Sequence, residues 1–198
     1  GIGWATAEAF ADQGANLILC GRRKKKLEKL SQKLATKTLL LTFDVRDRKA
    51  VFESLSHLPK EWKNVDVLIN NAGNAHGLDP VQTANLDDWD AMIDGNVKGL
   101  MYVTKAILPN MLKAKKGHII NLGSIAGKEV YPNGNVYCSS KYAVEAFTQG
   151  LRIDLNPDGI KVSAIHPGLV HTEFSEVRFS FERGDDSESN YVKISKGE

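Results

Sequence analysis

The sequence predicts a single-domain α/β fold built on a doubly wound parallel sheet with helices on both faces. Two observations lead to this prediction. Short apolar runs rich in β-branched residues alternate along the chain with longer segments of helical period. The runs also lack the polar alternation of strands that have one solvated face, which indicates strands buried on both sides. The alternation continues to about residue 175, so we expect a domain over 1–175, followed by a substrate-loop remnant and a polar tail over 176–198.

Five strands and five helices account for this pattern in chain order. The predicted strands cover residues 16–20, 38–43, 65–70, 118–122 and 160–165. The predicted helices cover residues 2–13, 24–35, 48–58, 86–113 and 136–155. Gly14 is expected to end the first helix, because glycine readily adopts the left-handed conformation that is common after a helix. Asp47 is expected to cap the third helix, because a short side-chain oxygen there accepts a bond from a free backbone N–H.

The composition is that of an ordinary globular chain. Its 198 residues are 42% hydrophobic and 25% charged with a net charge of +2, which is enough apolar material to bury a core. Cys20 and Cys138 form no Cys-x-x-Cys unit, and we interpret them as reduced thiols of a cytoplasmic protein. The sequence has neither an apolar stretch near the about 20 residues that span a bilayer nor a signal-peptide pattern. These features argue against a membrane protein.

Small and polar residues collect where the predicted strands end. Residues 43–45, 70–73, 123–124 and 166–168 each close or follow a strand and supply glycines, short amides and a hydroxyl. Each segment alone is typical of a turn. Ligands of parallel sheets bind beyond the carboxyl ends of the strands. Four such segments at one sheet edge therefore predict a site for a flat ligand that approaches the backbone closely.

Tyr137, Lys141 and Ser124 form the pattern that indicates chemistry. Positions four residues apart lie on one face of a helix, so Lys141 can reach toward the Tyr137 phenol. Lowering a tyrosine pKa from about 10 to near neutrality requires about 4 kcal/mol of phenolate stabilisation, and one nearby cation supplies that order of energy. The pair alone is typical of a surface contact. Ser124, however, lies at the end of a predicted strand shortly before the pair. The three residues together therefore predict acid–base chemistry on an alcohol or carbonyl.

The residues on either side of the first predicted strand indicate a dinucleotide. Gly1, Ile2 and Gly3 open directly into an amphipathic helix, whose free N–H groups attract phosphate. After the strand, Arg22 and Arg23 stand where an NAD enzyme would place a carboxylate, and two guanidinium groups favour a 2′-phosphate and hence NADP. The basic run 22–26 is also compatible with a solvated face or a nucleic-acid patch, although the net charge of +2 argues against nucleic acid.

The five histidines give no sign of a metal site. They show no ligand spacing and no pairing with cysteine or carboxylate, so we predict no metal and structural or surface roles. They are His57, His76, His118, His166 and His171. His76, just beyond Gly73, is the histidine expected to lie nearest a substrate.

These motifs resemble the short-chain dehydrogenase/reductase superfamily over about residues 1–175. The resemblance to its cofactor motifs lies in residues 1–3, which match the end of its glycine-rich loop, and in the Asn-Asn-Ala-Gly segment 70–73. Its catalytic tetrad is matched by Asn96, Ser124, Tyr137 and Lys141, and its nicotinamide-side loop by residues 167–170 with Thr172. Segments similar to NADP-dependent serine or 3-hydroxy acid dehydrogenases are 21–23, 58–62, 134–137, 167–174 and 177–179.

The resemblance implies a Rossmann-type fold and a role for each matched residue. Tyr137 would exchange the proton of the substrate hydroxyl, Ser124 would hold the substrate oxygen, and Lys141 would lower the Tyr137 pKa and bind the nicotinamide ribose. Asn96 would fix a water that connects Lys141 to solvent. The implied NADP contacts are Gly1, Ile2, Gly3, Arg22, Arg23, Asp44, Val45, Asn71, Ala72, Gly73, Tyr137, Lys141, Pro167, Gly168, Val170 and Thr172. The substrate contacts would be Ser124, Tyr137 and Arg178, and the assembly a homodimer or homotetramer.

Two departures from the family pattern concern the sheet. With the family's strand order, a strand preceding Gly1 would lie in the centre of the sheet, between the strands at 16–20 and 65–70. We therefore expect about ten further residues at this end of the natural polypeptide, because the two halves otherwise lack a shared hydrogen-bonding partner. At the other end, residues 183–198 are polar and do not resemble the family's final strand, so we expect a mobile tail.

Three functions are compatible with the sequence. The first is an NADP-dependent dehydrogenase of a small 3-hydroxy acid or a serine-like substrate. The alternatives are a ketone or 3-oxoacyl reductase of the same superfamily, and a non-catalytic NADP-binding truncated form. The segment 74–80 and the loop after Gly168 would separate the first two, because a carboxylate-bearing substrate requires a cation or amide donors there.

Overall fold

Helices and parallel strands alternate through the described part of the chain, which is residues 1–172 and 174 of the computed structural model. The strands are β1 (Leu17–Gly21), β2 (Thr38–Thr42), β3 (Val67–Asn70), β4 (Gly117–Leu122) and β5 (Ile160–Ile165). The helices are α1 (Ile2–Asp12), α2 (Lys24–Ser31), α3 (Arg48–Ser56), α4 (Leu86–Ile93), α5 (Leu100–Ala114) and α6 (Asn135–Leu155). The predicted α/β class is confirmed. The predicted boundary at residue 175, the tail 183–198 and Arg178 lie outside the described residues.

All strand pairs are parallel, and they form two sheets. β1 pairs with β2, from Leu17 opposite Thr38 to Gly21 opposite Thr42. β4 lies between β3 and β5, and its Asn121 stands opposite Asn70 of β3. Among the described residues no strand joins β1 to β3. The expected division of the sheet at this position is therefore observed.

The main core lies between the three-stranded sheet and helices α3, α5 and α6. Its most enclosed members are Val51 of α3, Met111 of α5 and Ile119 of β4, each at most 1% exposed. Burial of such side chains is the chief favourable term in folding, at about 25 cal/mol per Å² of apolar surface. The core therefore holds α6 and the end of β4 in one rigid unit.

The predicted helix ends at Gly14 and Asp47 are confirmed. Gly14 follows the last residues of α1 with a φ of +82°, and its N–H donates to the Ala11 carbonyl. The Asp47 carboxylate accepts from the Ala50 N–H at 3.0 Å and caps α3. Both residues satisfy backbone groups that a helix end leaves free.

The predicted ends of two helices are wrong by a few residues. α2 stops at Ser31 instead of residue 35, because the N–H of Lys33 donates three residues back to Leu30 and tightens the chain. α3 stops at Ser56 instead of residue 58, because Pro59 disfavours a helical conformation in the residue before it.

The predicted helix 86–113 is wrong as a uniform α-helix, because a π-helical turn, Asp94–Gly99, separates α4 from α5. Two glycines of the turn touch neighbouring segments. A Cβ at Gly95 would lie 3.1 Å from the Asn74 amide, and one at Gly99 would lie 2.7 Å from Val45. Packing against the loops after β2 and β3 therefore selects this geometry, which is typical of functional sites.

Four buried polar side chains tie the sheet to α5 and α6. The Asn70 amide donates to Thr104 of α5 and to Asn121 of β4, at 2.9 and 2.8 Å. Asn121 donates to Thr148 of α6 at 2.9 Å. Because buried polar groups are costly unless paired, this network fixes the position of α6 against the sheet.

Candidate active site

Helix α6 carries Tyr137 and Lys141 on one buried face, at 9% and 8% exposure. The Lys141 Nζ donates to the Leu122 carbonyl at the end of β4 at 3.0 Å, and it lies 5.8 Å from the centre of the Tyr137 ring. Burial lowers the pKa of Lys141 to about 8. The ammonium is thus anchored between the sheet and the phenol, where its positive charge favours a phenolate.

Ser124 begins the turn that follows β4. Its hydroxyl accepts from the Ala126 N–H at 3.1 Å, and its carbonyl accepts from the Gly127 N–H at 2.9 Å. A Cβ at Gly127 would lie 2.7 Å from the Lys141 carbonyl oxygen. Glycine at this position therefore allows the Ser124 turn to rest directly on the part of α6 that carries Lys141.

Asn96, in the π-helical turn, links the loop after β3 to α6. Its Oδ1 accepts from the Asn74 N–H at 2.7 Å, and its Nδ2 donates to the Asn74 carbonyl at 2.8 Å. The same Nδ2 donates to the Ser140 hydroxyl at 3.0 Å, and Ser140 donates to the Tyr137 carbonyl at 2.7 Å. A Cβ at Gly73 would lie 3.0 Å from Asn96 Oδ1 and 3.7 Å from Lys141 Nζ. These contacts bring Asn96, Tyr137 and Lys141 of the predicted tetrad together, and the turn that begins at Ser124 packs on the same part of α6.

Ser140 is a site residue that the sequence reasoning missed. It is fully buried and connects the helical turn of Tyr137 with the side chain of Asn96. The available sequence signal was its position three residues after Tyr137, which places it on the same helix face. A hydroxyl at that position has no distinctive pattern, so the signal was weak.

The glycines at the start of α1 lie against two of the predicted cofactor loops. A Cβ at Gly1 would lie 3.4 Å from Thr172, and one at Gly3 would lie 2.5 Å from the Asn71 amide. Among the described residues, no side chain caps the start of α1, which begins at Ile2. The helix start, the loop after β3 and the loop after β5 thus meet where a phosphate would find backbone N–H donors.

Asp44 stands between two arginines at the ends of β1 and β2. Its carboxylate forms a close two-oxygen pair with Arg46, including a 2.7 Å bond from Nη2, and lies 3.7 Å from Arg22 Nη1. Partial burial opposes ionisation, but the hydrogen bonds and charge of Arg46, with the charge of Arg22, hold the Asp44 pKa below its usual range. Arg46 is a second residue that the sequence reasoning missed. Val45 packs on Gly99 of the π-helical turn.

The other predicted cofactor residues lie at the same sheet edge. Asn71, Ala72 and Gly73 follow β3 and are exposed, so a ligand can reach them. Arg23 precedes α2 as its N-terminal cap residue. After β5, the Pro167 carbonyl accepts from the Ile125 N–H at 3.1 Å, and Gly168 and Val170 are exposed.

Phe174 and His76 add two further side chains near Tyr137. The Phe174 ring centre lies 6.0 Å from that of Tyr137, and the Phe174 N–H donates to the Thr172 hydroxyl at 3.1 Å. His76 and Tyr137 line the same open depression, together with Trp89 of α4.

Among residues 1–172 and 174, no three histidines, cysteines or carboxylates are grouped to hold a metal ion. No helix in the same part of the chain is both long and apolar enough to cross a membrane.

The fold and the tetrad define a class of protein, and comparison with known families identifies it. Residues 1–183 match the family described as short chain dehydrogenase, and the chain belongs to this family. The predicted superfamily is therefore confirmed.

Individual proteins with named activities are also similar to the chain. The chain is 45% identical over 190 residues to the NADP-dependent 3-hydroxy acid dehydrogenase YdfG of Escherichia coli O6:H1, covering 96% of this chain and 75% of the relative. It is 45% identical over 181 residues to sulfoacetaldehyde reductase 2 of Chromohalobacter salexigens, covering 90% of this chain and 72% of the relative. The closed form of a serine dehydrogenase complexed with NADP⁺ superposes with a TM-score of 0.90 at 42% identity, covering 98% of this chain and 77% of that structure.

Proposed function

We propose that the protein is an NADP-dependent oxidoreductase that acts on the CH–OH group of a small 3-hydroxy acid or a serine-like substrate. The observation that carries the proposal is the enclosed Tyr137–Lys141 pair, anchored to the end of β4 beside Ser124. The names of the 3-hydroxy acid dehydrogenase and the serine dehydrogenase support this substrate class.

The tetrad transfers one proton, and the direction of the reaction determines whether Tyr137 accepts or donates it. In oxidation, the Tyr137 phenolate takes the proton of the substrate hydroxyl, and in reduction the phenol returns it. The Lys141 charge stabilises the phenolate, and the Ser124 hydroxyl donates to the substrate oxygen and orients it. Asn96 holds the loop after β3 beside Lys141 and connects that lysine to solvent. The bound nicotinamide supplies or accepts the hydride.

The residues at the sheet edge fit a dinucleotide phosphate. A side chain at Gly3 would crowd the Asn71 amide, and one at Gly1 would touch Thr172, beside the start of α1. We assign the diphosphate to Gly1, Ile2 and Gly3, and the 2′-phosphate to Arg22 and Arg23. The remaining assignments are Asp44 and Val45 to adenine, Asn71, Ala72, Gly73, Tyr137 and Lys141 to ribose, and Pro167, Gly168, Val170 and Thr172 to the nicotinamide side. Arg178 is assigned to the substrate carboxylate.

The reduction of a small anionic aldehyde is a second candidate function. It uses the same tetrad, and the similarity to a sulfoacetaldehyde reductase favours it over an uncharged ketone. The two candidates share an anionic substrate and differ in the direction and carbonyl class of the reaction.

We also infer the cellular compartment and the oligomeric state. Free Cys20 and Cys138 support a reducing compartment, which we infer is the cytoplasm. We infer a homodimer or homotetramer, for which the long helices α5 and α6 are the available contact surfaces. Light scattering of the purified protein measures the assembly directly.

A turnover assay tests the proposed function. Nicotinamide absorbance is followed with NADP and NAD against serine, 3-hydroxypropionate, an uncharged secondary alcohol and, in reduction, sulfoacetaldehyde. We expect turnover with NADP and a carboxylate-bearing alcohol. Turnover only with sulfoacetaldehyde would establish the second candidate. NADPH binding without turnover of any substrate would contradict both.

A further inference from the structure

The His166 ring, directly after β5, lies between two hydrogen-bond acceptors. Its Nδ1 lies 3.2 Å from the Ser124 carbonyl oxygen, and its Nε2 lies 2.9 Å from Oε2 of Glu145 on α6. The ring is wedged against the end of β4, because a Cβ at Gly123 would come within 2.5 Å of Nδ1. His166 thus connects the strand end that carries Ser124 with the helix that carries Tyr137.

Donation to both acceptors at once requires a doubly protonated ring. A neutral imidazole has one N–H donor and an imidazolium has two. Glu145 is an anion, because hydrogen bonds from Gln149 and Lys128 and the charge of Lys128 outweigh its partial burial and lower the Glu145 pKa. Glu145 Oε2 is buried without a well-aligned hydrogen bond, so the adjacent imidazole supplies its charge compensation.

The charged groups around the ring come from two segments. Glu145 projects from α6, and Lys128, after the turn Ile125–Gly127, pairs with the other oxygen of Glu145 at 3.1 Å. The neighbours of the ring on β4 and β5 are uncharged residues, Gly123 and Ile165. Protonation of His166 therefore balances the carboxylate locally and has no competing anion among these neighbours.

We propose that protonated His166 is a positioning residue that holds the Ser124 turn against α6. The inference rests on the proposed function, since Ser124 orients the substrate oxygen there. On deprotonation, the remaining N–H stays with the carboxylate, because hydrogen bonds to charged acceptors are the stronger ones. The Nδ1 lone pair then faces the Ser124 carbonyl, and this carbonyl loses one of its two hydrogen-bond donors. The donor that stays is the Gly127 N–H.

The Gly127 amide provides a local test, because it shares the Ser124 carbonyl with His166. We expect its NMR resonance to change with pH in the wild type, as the Nδ1 donor to the Ser124 carbonyl is lost. H166N keeps an amide donor at the Nδ1 position without an ionisable group, so the titration disappears. In E145Q, the introduced amide can donate to Nε2 of a neutral ring, whose Nδ1–H then donates to the Ser124 carbonyl. The Gly127 titration therefore disappears in this variant also. The control H118N alters a histidine whose partner is the Ser163 hydroxyl and keeps the titration.

Turnover gives a second readout. H166Q places its amide donor at the Nε2 position, so the Ser124 carbonyl loses the donor that His166 supplied. We therefore expect kcat to fall about 3- to 10-fold at low pH, which is the effect of one lost hydrogen bond. The ratio of kcat for H166N to that for the wild type rises by the same factor from low to high pH. A ratio independent of pH, or a Gly127 titration that persists in H166N and E145Q, would overturn the proposal. Absent turnover in the wild type would instead contradict the proposed function, while the amide titration still decides the role of His166.

Discussion

At the scale of single residues, burial is what distinguishes Lys141 from an ordinary helical lysine. A lysine four residues after a tyrosine is common on exposed helices, where it contributes only a few tenths of a kcal/mol. Here the ammonium is 8% exposed and its pKa lies about 8, so it is a cation near neutrality and releases its proton easily. The helical spacing predicted which face it shares with Tyr137. The enclosure that changes its chemistry depends on β4 and the loop after β3.

Stability should depend on pH through Lys141. Its pKa is 10.5 in the unfolded chain and about 8 in the fold, so between these values the unfolded state binds more protons and rising pH favours folding. We expect the wild type to gain about 3 kcal/mol of unfolding free energy relative to K141M from pH 8 to 10.5. Urea unfolding at several pH values measures this. The exposed-lysine control K105M should track the wild type, and a pH-independent difference for K141M would refute the assignment.

Removal of the Tyr137 hydroxyl should separate chemistry from cofactor binding. Y137F keeps the ring in its packed position but has no proton to exchange, so we expect kcat to fall about 10²- to 10⁴-fold. NADPH affinity, measured by calorimetry, should change little. The control Y142F removes the hydroxyl of an exposed tyrosine on the same helix, which donates to the Lys128 carbonyl. Near wild-type activity of Y137F would eliminate the mechanism.

The arginines after β1 should determine the choice between NADP and NAD. The double variant R22A/R23A removes two guanidinium groups, so we expect NADP affinity to fall about 10- to 100-fold, as for lost charged hydrogen bonds, with NAD affinity little changed. The control K25A/K29A removes the same charge from exposed positions of α2. Equal losses for both dinucleotides, measured by calorimetry, would exclude a phosphate contact. The Arg46–Asp44 pair should remain and keep the loop after β2 in place.

At the scale of elements, the π-helical turn Asp94–Gly99 is the feature that places Asn96. A regular helix from residue 86 to 113 fits the periodicity and the favourable cap at Asn85, whose side chain accepts from the Asp87 N–H. The extra residue in the turn lets the Asn96 amide reach both backbone groups of Asn74. Because the hydrogen bonds that offset this distortion come from another segment, local periodicity does not predict it.

The Ser140 hydroxyl should be needed to keep this turn in register with α6. S140A removes the bridge between Asn96 and the Tyr137 carbonyl, so we expect kcat to fall about tenfold, while NADPH binding is largely retained. The matched control is S139A, the neighbouring serine, whose exposed hydroxyl donates to the Asn135 carbonyl of the same helix. Recovery of kcat in S140T, which restores a hydroxyl, would distinguish positioning from a general packing effect. Equal effects of S140A and S139A would contradict the bridge.

At the scale of the whole molecule, the candidate site residues are positioned by two sets of strands that do not pair with each other among the described residues. Arg22 and Asp44 follow β1 and β2, whereas Ser124 follows β4 and the helix α6 packs on β4 and β5. The two sets are connected by packing of Val45 on Gly99 and of Gly3 on Asn71. Among the described residues, side chains and loops therefore align the two sets of strands.

Hydrogen exchange should reveal this division. Among the described residues, β4 has a partner strand on each side and β1 has one, so part of the β1 amides lack ladder bonds to these strands. We expect the β4 amides to exchange at least about tenfold more slowly than those of β1. Native-state exchange read by NMR measures both strands in one experiment. Equal protection of β1 and β4 would mean that another strand pairs with β1.

The sequence by itself determined the α/β alternation and the helix ends at Gly14 and Asp47, which follow from periodicity and turn chemistry, both local properties of a chain. The resemblance of its motifs identified the family and implied the four tetrad residues, whose roles stay a prediction. Only the tertiary structure decided the burial of Lys141, the π-helical turn at Asn96, the Arg46–Asp44 pair beside Arg22 and the bridge of His166 between Ser124 and Glu145. The physical reason is that burial and most of these hydrogen bonds join segments distant in sequence, such as Ser124 and His166, 42 residues apart. Their energies depend on packing and on the local dielectric, which no short stretch of sequence specifies.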